Sequence, residues 1–211
     1  MPNNTDTLVS IFEDIGNALE DWDLTGPWTP SQFAAAIASI EDHAVEDALI
    51  SKTLSGAYSN SRVTSIGPYA LRNFSDVTSF DFPNVTSVPA YCFTACTSLI
   101  SVNLPIAGVI NQYSFQGCSA LTAIALPSST AFGRNVFENT NLTTLDLYSP
   151  NRTAIPTLNI NGFNNTPIAA GNGHVVINDE LVTALSTASN WSALPSGTII
   201  GHTTAVQQGI V

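Results

Sequence analysis

The chain has 211 residues, of which 44% are apolar and only 10% charged, and it carries a formal net charge of −11. It is long enough for one or two domains with a sizeable core, and too apolar and aromatic to remain disordered. Five Lys and Arg against 16 Asp and Glu leave no basic surface to neutralise phosphates, which excludes direct nucleic-acid binding.

The charge is segregated. Residues 1–47 hold ten of the acids and no Lys or Arg, whereas the rest of the chain is nearly neutral. Residues 7–22 read as an amphipathic helix, because Leu8, Ile11, Phe12, Ile15, Leu19 and Trp22 follow three-and-four spacing and fall on one stripe. Gly26-Pro27 breaks the chain. A second helix opens with Thr29 as N-cap, Pro30 at the first helical position and Gln32 completing a capping box. Its narrow apolar face is Phe33, Ile37 and Ile40. Two helices this short are marginal alone, so both need a packing partner. Acidic pairs such as Asp21 with Asp23, or Glu41-Asp42 with Glu46-Asp47, lack the spacing of a calcium loop and read as solvated helix ends.

Leu49, Ile50 and Leu54, with Gly56-Ala57-Tyr58 after them, predict one or two strands that cap a β-rich body. A 22-residue segment then repeats three times in register, over 63–84, 85–106 and 107–128. Its apolar columns include Ile66, Val88 and Ile110; Leu71, Phe93 and Phe115; Val77, Leu99 and Leu121; Phe80, Val102 and Ile124; and Phe82, Leu104 and Leu126, with Pro83, Pro105 and Pro127 closing the copies. A period in this range marks a solenoid, in which each coil buries its apolar face against its neighbours. A fourth coil at 129–149 keeps Phe132, Phe137, Leu142, Leu145 and Leu147, and a degenerate fifth runs through Leu158, Ile160 and Phe163 to Ile168.

Within a coil, Leu99-Ile100-Ser101-Val102-Asn103-Leu104-Pro105 predicts a strand with Leu99, Val102 and Leu104 inward. Stacked strands form a parallel sheet with a spacing of about 4.8 Å. The outward positions Ser79, Asp81, Ser101, Asn103, Ala123, Ala125, Thr144 and Asp146 make a small, mostly polar surface. Of these, Ser79, Asp81, Ser101, Asn103, Thr144 and Asp146 are the candidate ligand-facing residues. The opposite side, carrying Tyr69-Ala70-Leu71 and Tyr91-Cys92-Phe93, predicts a tight helical turn. Cys96 and Cys118 share the column of Phe74 and read as buried structural thiols.

Beyond the repeat, His174 to Ile177 predicts a strand. Asn178 reads as the N-cap of a helix with Asp179 and Glu180 in its first turn and Leu181, Leu185 and Ala188 on its packing face. Thr198-Ile199-Ile200 predicts a last strand, and the tail after Gly201 has little to hold it. No catalytic motif, cofactor loop or metal-ligand spacing appears, so no enzyme activity, cofactor or metal is expected. No apolar run reaches the roughly 18–20 residues that span a bilayer, and no secretory signal series is visible at the N-terminus.

The unit V-T-S-[IV]-x-x-Y-x-[FL]-x-x-[CF]-x-x-[LV]-x-x-[VF]-x-[LF]-P resembles the BspA-like class of leucine-rich repeat over about residues 60–170. The flanks resemble a layout common in phage and prophage virion proteins. They are the short helix from Thr29-Pro30-Ser31-Gln32 to Ala38-Ser39-Ile40, the run Arg62-Val63-Thr64-Ser65-Ile66, and Asn165-Thr166-Pro167-Ile168 ahead of a strand, a helix and Asn190-Trp191. The first helix does not match that layout.

The expected fold is α+β: a short β-rich leucine-rich-repeat solenoid with a parallel sheet, a two-helix N-terminal segment and a strand–helix–strand C-terminal cap. Its expected domains are an acidic attachment segment at 1–47, the solenoid with its cap strand at 48–171, and the C-terminal cap at 172–211. The resemblance implies a multi-copy, non-enzymatic virion component of tail, fibre or decoration type. Residues 1–47 would dock to other virion proteins, and the solenoid would face a host-surface glycan or protein. The alternative is a bacterial surface or secreted adhesin, which requires a targeting signal.

Overall fold

The computed structural model describes residues 54–211. The residues expected to form the two N-terminal helices, together with Leu49 and Ile50, lie outside that range. Eleven strands, all paired in parallel, wind the described residues into a solenoid. The strand predicted inside each coil is present: β1 (Gly56–Ser59), β2 (Val77–Asp81), β4 (Ser101–Asn103), β6 (Ala123–Ala125) and β8 (Thr144–Asp146). Strands β1, β2 and β4 form a three-stranded sheet, and β6 and β8 belong to a four-stranded one completed by β10 (His174–Ile177) and β11 (Ile199–Gly201). Register follows the repeat, with Phe80 opposite Val102 and Ile124 opposite Leu145.

A second parallel sheet, which the repeat pattern alone does not predict, runs along another side. It consists of β3 (Ser87–Val88), β5 (Val109–Ile110), β7 (Ala131–Phe132) and β9 (Thr157–Leu158). Each strand has only two residues, one outward and one inward, and Val88, Ile110, Phe132 and Leu158 are the inward ones.

The third side corrects the expectation of a helical turn. Here each coil carries two residues in the left-handed region four positions apart: Tyr69 and Asn73, Tyr91 and Ala95, Tyr113 and Gly117, Asn135 and Asn139, Asn161 and Asn165. Alternate N–H groups of this backbone point toward the next coil, while those between them close local turns, Cys92 on Pro89 O, Thr94 on Tyr91 O and Cys96 on Phe93 O. Tyr91 N–H donates to Gln112 O at 3.1 Å, Phe93 N–H to Ser114 O at 2.8 Å and Ala95 N–H to Gln116 O at 2.8 Å. The same three bonds recur from Tyr113, Phe115 and Gly117 to Arg134, Val136 and Glu138. The corner is thus a hydrogen-bonded ladder without strand geometry, and it satisfies backbone groups that burial would otherwise leave unpaired.

The core matches the predicted columns. Phe93, Phe115, Phe137 and Phe163 stack one above the next with ring centroids 5.1, 5.7 and 5.5 Å apart. Leu99, Leu121 and Leu142 are fully buried, as are Leu126, Leu145 and Leu147. Cys96 and Cys118 are buried and free; their thiols donate to Leu71 O and Phe93 O, both at 3.0 Å. Their column continues as Thr140 and Thr166, whose hydroxyls instead donate within their own coil, to Phe137 O and Phe163 O. Ile160 departs from the fifth-coil reading: it is 53% exposed, because it occupies the outward position that Arg134 holds one coil earlier.

At the C-terminus β10 pairs with β8, and β11 pairs with β10, so the cap prolongs the sheet. Asn178 does not cap through its side chain. It precedes a single 3-10 turn, Asp179–Leu181, and its amide is spent on Ser149 O at 2.9 Å. Helix α1 (Val182–Thr187) comes next and buries Leu185. The tail is also better held than expected: α2 (His202–Gln207) buries Ala205, and Asp179 accepts bonds from the Thr203 N–H and hydroxyl.

Candidate interaction surface

The register brings the candidate residues of the first sheet into two outward columns. Ser79 stands beside Ser101, and Asp81 beside Asn103. Thr144 and Asp146 stand beside Ala123 and Ala125 in the other sheet segment, so these residues share a side of the coils without forming one continuous ladder. Beyond β8 the open face ends, because Val175, Val176 and Ile177 of β10 are all buried.

Several polar groups in these columns are already engaged. Asp81 accepts from the Ser59 hydroxyl and from the Asn103 amide, both at 2.7 Å. These two bonds hold its carboxyl below the usual range. Asp146 accepts the Tyr148 N–H at 2.9 Å. The face is therefore a flat, internally bonded polar surface, suited to contact over area more than to gripping a small ligand. The candidate docking residues Leu8, Ile11, Phe12, Ile15, Leu19 and Trp22 lie outside the described residues.

The neighbouring corner carries a stack of tyrosines. Tyr69, Tyr91 and Tyr113 have centroids 4.8 Å apart at each step, nearly parallel, and the Arg134 guanidinium lies 5.2 Å from the Tyr113 ring. Tyrosine is disfavoured in the left-handed region, and ring stacking with cation–π contact offsets part of that cost. A second carboxylate on the coil edge, Glu138, accepts from Gln116 at 2.7 Å and Asn164 at 3.0 Å. Partial burial pushes Glu138 up, but bonds from Asn164, Gln116 and Asn135 outweigh it and hold the group below its ordinary value.

Sequence reasoning missed a concave feature of the molecule, a trough of about 470 Å³ across β5, β7 and β9. The signal was present in the pairs Ser87-Val88, Val109-Ile110, Ala131-Phe132 and Thr157-Leu158, where an outward residue precedes an inward one in four successive coils. Among the described residues no cluster of His, Cys, Asp and Glu is placed to hold a metal, and no helix is long and apolar enough to cross a membrane.

No curated protein matches the chain significantly. Among solved structures it is similar to a leucine-rich repeat protein from Bacteroides ovatus ATCC 8483, at 21% identity and a TM-score of 0.42. That alignment covers 56% of this chain and 37% of the other. A family model described as the BspA type leucine rich repeat region matches residues 36–167 in six copies, a span that begins ahead of the regular coils. The chain therefore belongs to the BspA-type leucine-rich repeat family.

Proposed function

We propose that the chain is a non-enzymatic structural component of a bacteriophage virion, of tail, fibre or decoration type. Residues 1–47 attach it to the particle, and the solenoid displays its surface for binding a host surface or another protein. The observation that carries this reading is the division of charge. Ten acids and no Lys or Arg fall in residues 1–47, ahead of a body whose first sheet turns a polar row of Ser79, Asp81, Ser101 and Asn103 outward. An acidic segment of this kind suits docking on a basic platform, and leucine-rich repeats generally serve as contact surfaces.

The test is the composition of purified particles. Mass spectrometry and cryo-EM should find the protein in virions of the phage or induced prophage that encodes it. Replacing Glu13, Asp14, Glu20 and Asp21 by their amides should sharply lower its incorporation while leaving the melting of the body unchanged. Absence of the wild-type protein from virions overturns the proposal. Recovery at a bacterial cell surface instead would establish the adhesin reading.

A further inference from the structure

The trough on the second sheet has a defined chemistry. Its outward row is Val109, Ala131 and Thr157, paired in register on β5, β7 and β9. Beside it stand Asn111 and Asn159, with Gly133 between them in the same column, and Asn190 closes the far end. The amides are held in place. Asn111 donates to Val88 O at 2.9 Å and Asn190 to Leu158 O at 2.7 Å, which leaves each amide oxygen as a fixed acceptor. Asn159 accepts from Ile160 N–H at 2.7 Å and keeps its amide nitrogen as a donor. Among the described residues, no ionisable side chain lines the trough.

This set of groups discriminates between ligand classes. A charged ligand finds no counter-charge. A wholly apolar one strips water from three amides and a hydroxyl and returns no hydrogen bond, a penalty of about 1–3 kcal/mol per group. A neutral sugar satisfies both requirements: its hydroxyls meet the fixed amides, and its C–H faces lie on Val109 and Ala131. The outward row also repeats at the strand spacing of about 4.8 Å, close to the advance of one pyranose unit in a linear glycan. At about 470 Å³ the trough falls within the size range of small-molecule sites. We propose that it binds a neutral oligosaccharide of a few units, laid across β5, β7 and β9. The proposal rests on the display role of the body and is independent of the particle to which the protein belongs.

The full chain should be titrated calorimetrically with cellotetraose, maltotetraose, laminaritetraose and chitotetraose, and with tetragalacturonate as the anionic probe. At least one neutral probe is expected to bind with Kd at or below about 1 mM. Ala131→Arg, which fills the middle of the trough, should weaken that binding at least tenfold. Thr157→Arg, at an exposed position, should do the same and decides the matter if Ala131→Arg lowers Tm. Gln207→Arg, at an exposed position of α2 away from both sheets' outward faces, should leave binding unchanged. The proposal is overturned if no neutral probe binds, if tetragalacturonate binds tighter than every neutral probe, or if Gln207→Arg weakens binding as much as the trough variants do. Sugar binding by a protein absent from virions would refute the particle assignment alone.

Discussion

Arg152 ties the irregular part of the solenoid to the regular part, and its removal is the sharpest test of how the coils are held. The step from Ile124 to Phe132, across the end of a regular coil, is 8 residues, but that from Leu145 to Leu158 is 13, so the loop after β8 carries five extra residues. Arg152 sits in this loop, half-buried. Its guanidinium donates to Leu147 O at 2.8 Å, Ser129 O at 2.9 Å and Pro127 O at 2.7 Å, with a longer bond to Ala154 O. The three short bonds join the end of one coil, the start of the next and the strand end at Leu147. Removing a charge-assisted bond costs about 1.5–3 kcal/mol, and water entering a half-buried site recovers part of the total. Arg152→Ala should therefore destabilise by about 3 kcal/mol, a fall in Tm of about 6–12 °C. Arg152→Lys should recover little, since a point ammonium cannot reproduce a fork aimed at several carbonyls. Because the partners are carbonyl oxygens rather than carboxylates, the loss should change little with moderate salt. Thermal and chemical denaturation of the three proteins measures all of this. An alanine variant melting within about 2 °C of wild type, or full rescue by lysine, would refute the clasp.

The other expectations concern backbone and charge. At the second left-handed position, Ala95 (φ 61°) stands where the next coil has Gly117 (φ 73°). Ala95→Gly should stabilise by about 0.5 kcal/mol once the greater freedom of unfolded glycine is subtracted, and Gly117→Ala should cost about 1 kcal/mol. A Cβ at Gly117 meets Ala95 backbone no closer than 3.8 Å, so the loss is strain rather than clash; equal signs for the two variants in denaturation would contradict this account. Gly133→Ala is harsher: its Cβ would collide with Gln112 N and lie 2.6 Å from Asn111 C, both backbone, and should cost about 3 kcal/mol or more or prevent soluble expression. Glu138 has a folded-state pKa depressed below its ordinary value of 4.5, so its contribution is present above that value and is lost as pH falls through the folded one. The contribution is small because the carboxylate is open to water; Glu138→Gln should flatten part of the decline in Tm below about pH 5, and an unchanged pH profile would count against the bonded carboxylate.

The columns that repeat every 22 residues were legible because one buried position predicts the next. Phe80, Val102, Ile124 and Leu145 all point inward, as their spacing requires. The same logic placed Ser79, Asp81, Ser101 and Asn103 outward. What it did not supply was the third side of the coil. Tyrosine and alanine are poor markers of the left-handed region, and only Asn135 with Asn139, and Asn161 with Asn165, carry residue types that favour it at both positions. The second sheet escaped for a different reason. A two-residue strand shows too little alternation to be read alone, and its identity emerges only from stacking four copies.

The C-terminal cap reads in sequence as strand, helix and strand, yet its purpose lies in two side chains. A parallel solenoid ends in exposed edges, which invite pairing with another chain. The two sheets end differently here. The sheet of β6 and β8 continues through β10 and β11, with Asp179 bonded to Thr203 at the start of α2. Gly201 is fixed by this packing, since a Cβ there would collide with Asp179 Oδ1. The second sheet has no further strand among the described residues. Instead Trp191 Nε1–H donates to Pro156 O at 2.9 Å, and the Asn190 amide donates to Leu158 O at 2.7 Å, so side chains occupy the acceptors at the β9 edge. The Trp191 ring meanwhile closes over Phe132 and Phe163, with centroids 6.0 and 5.8 Å away. Asn190 reaches this position through its own left-handed backbone, φ 63°. One dipeptide thus ends the sheet, seals the last coil and supplies the end wall of the trough, which places this concave surface where the repeat itself stops.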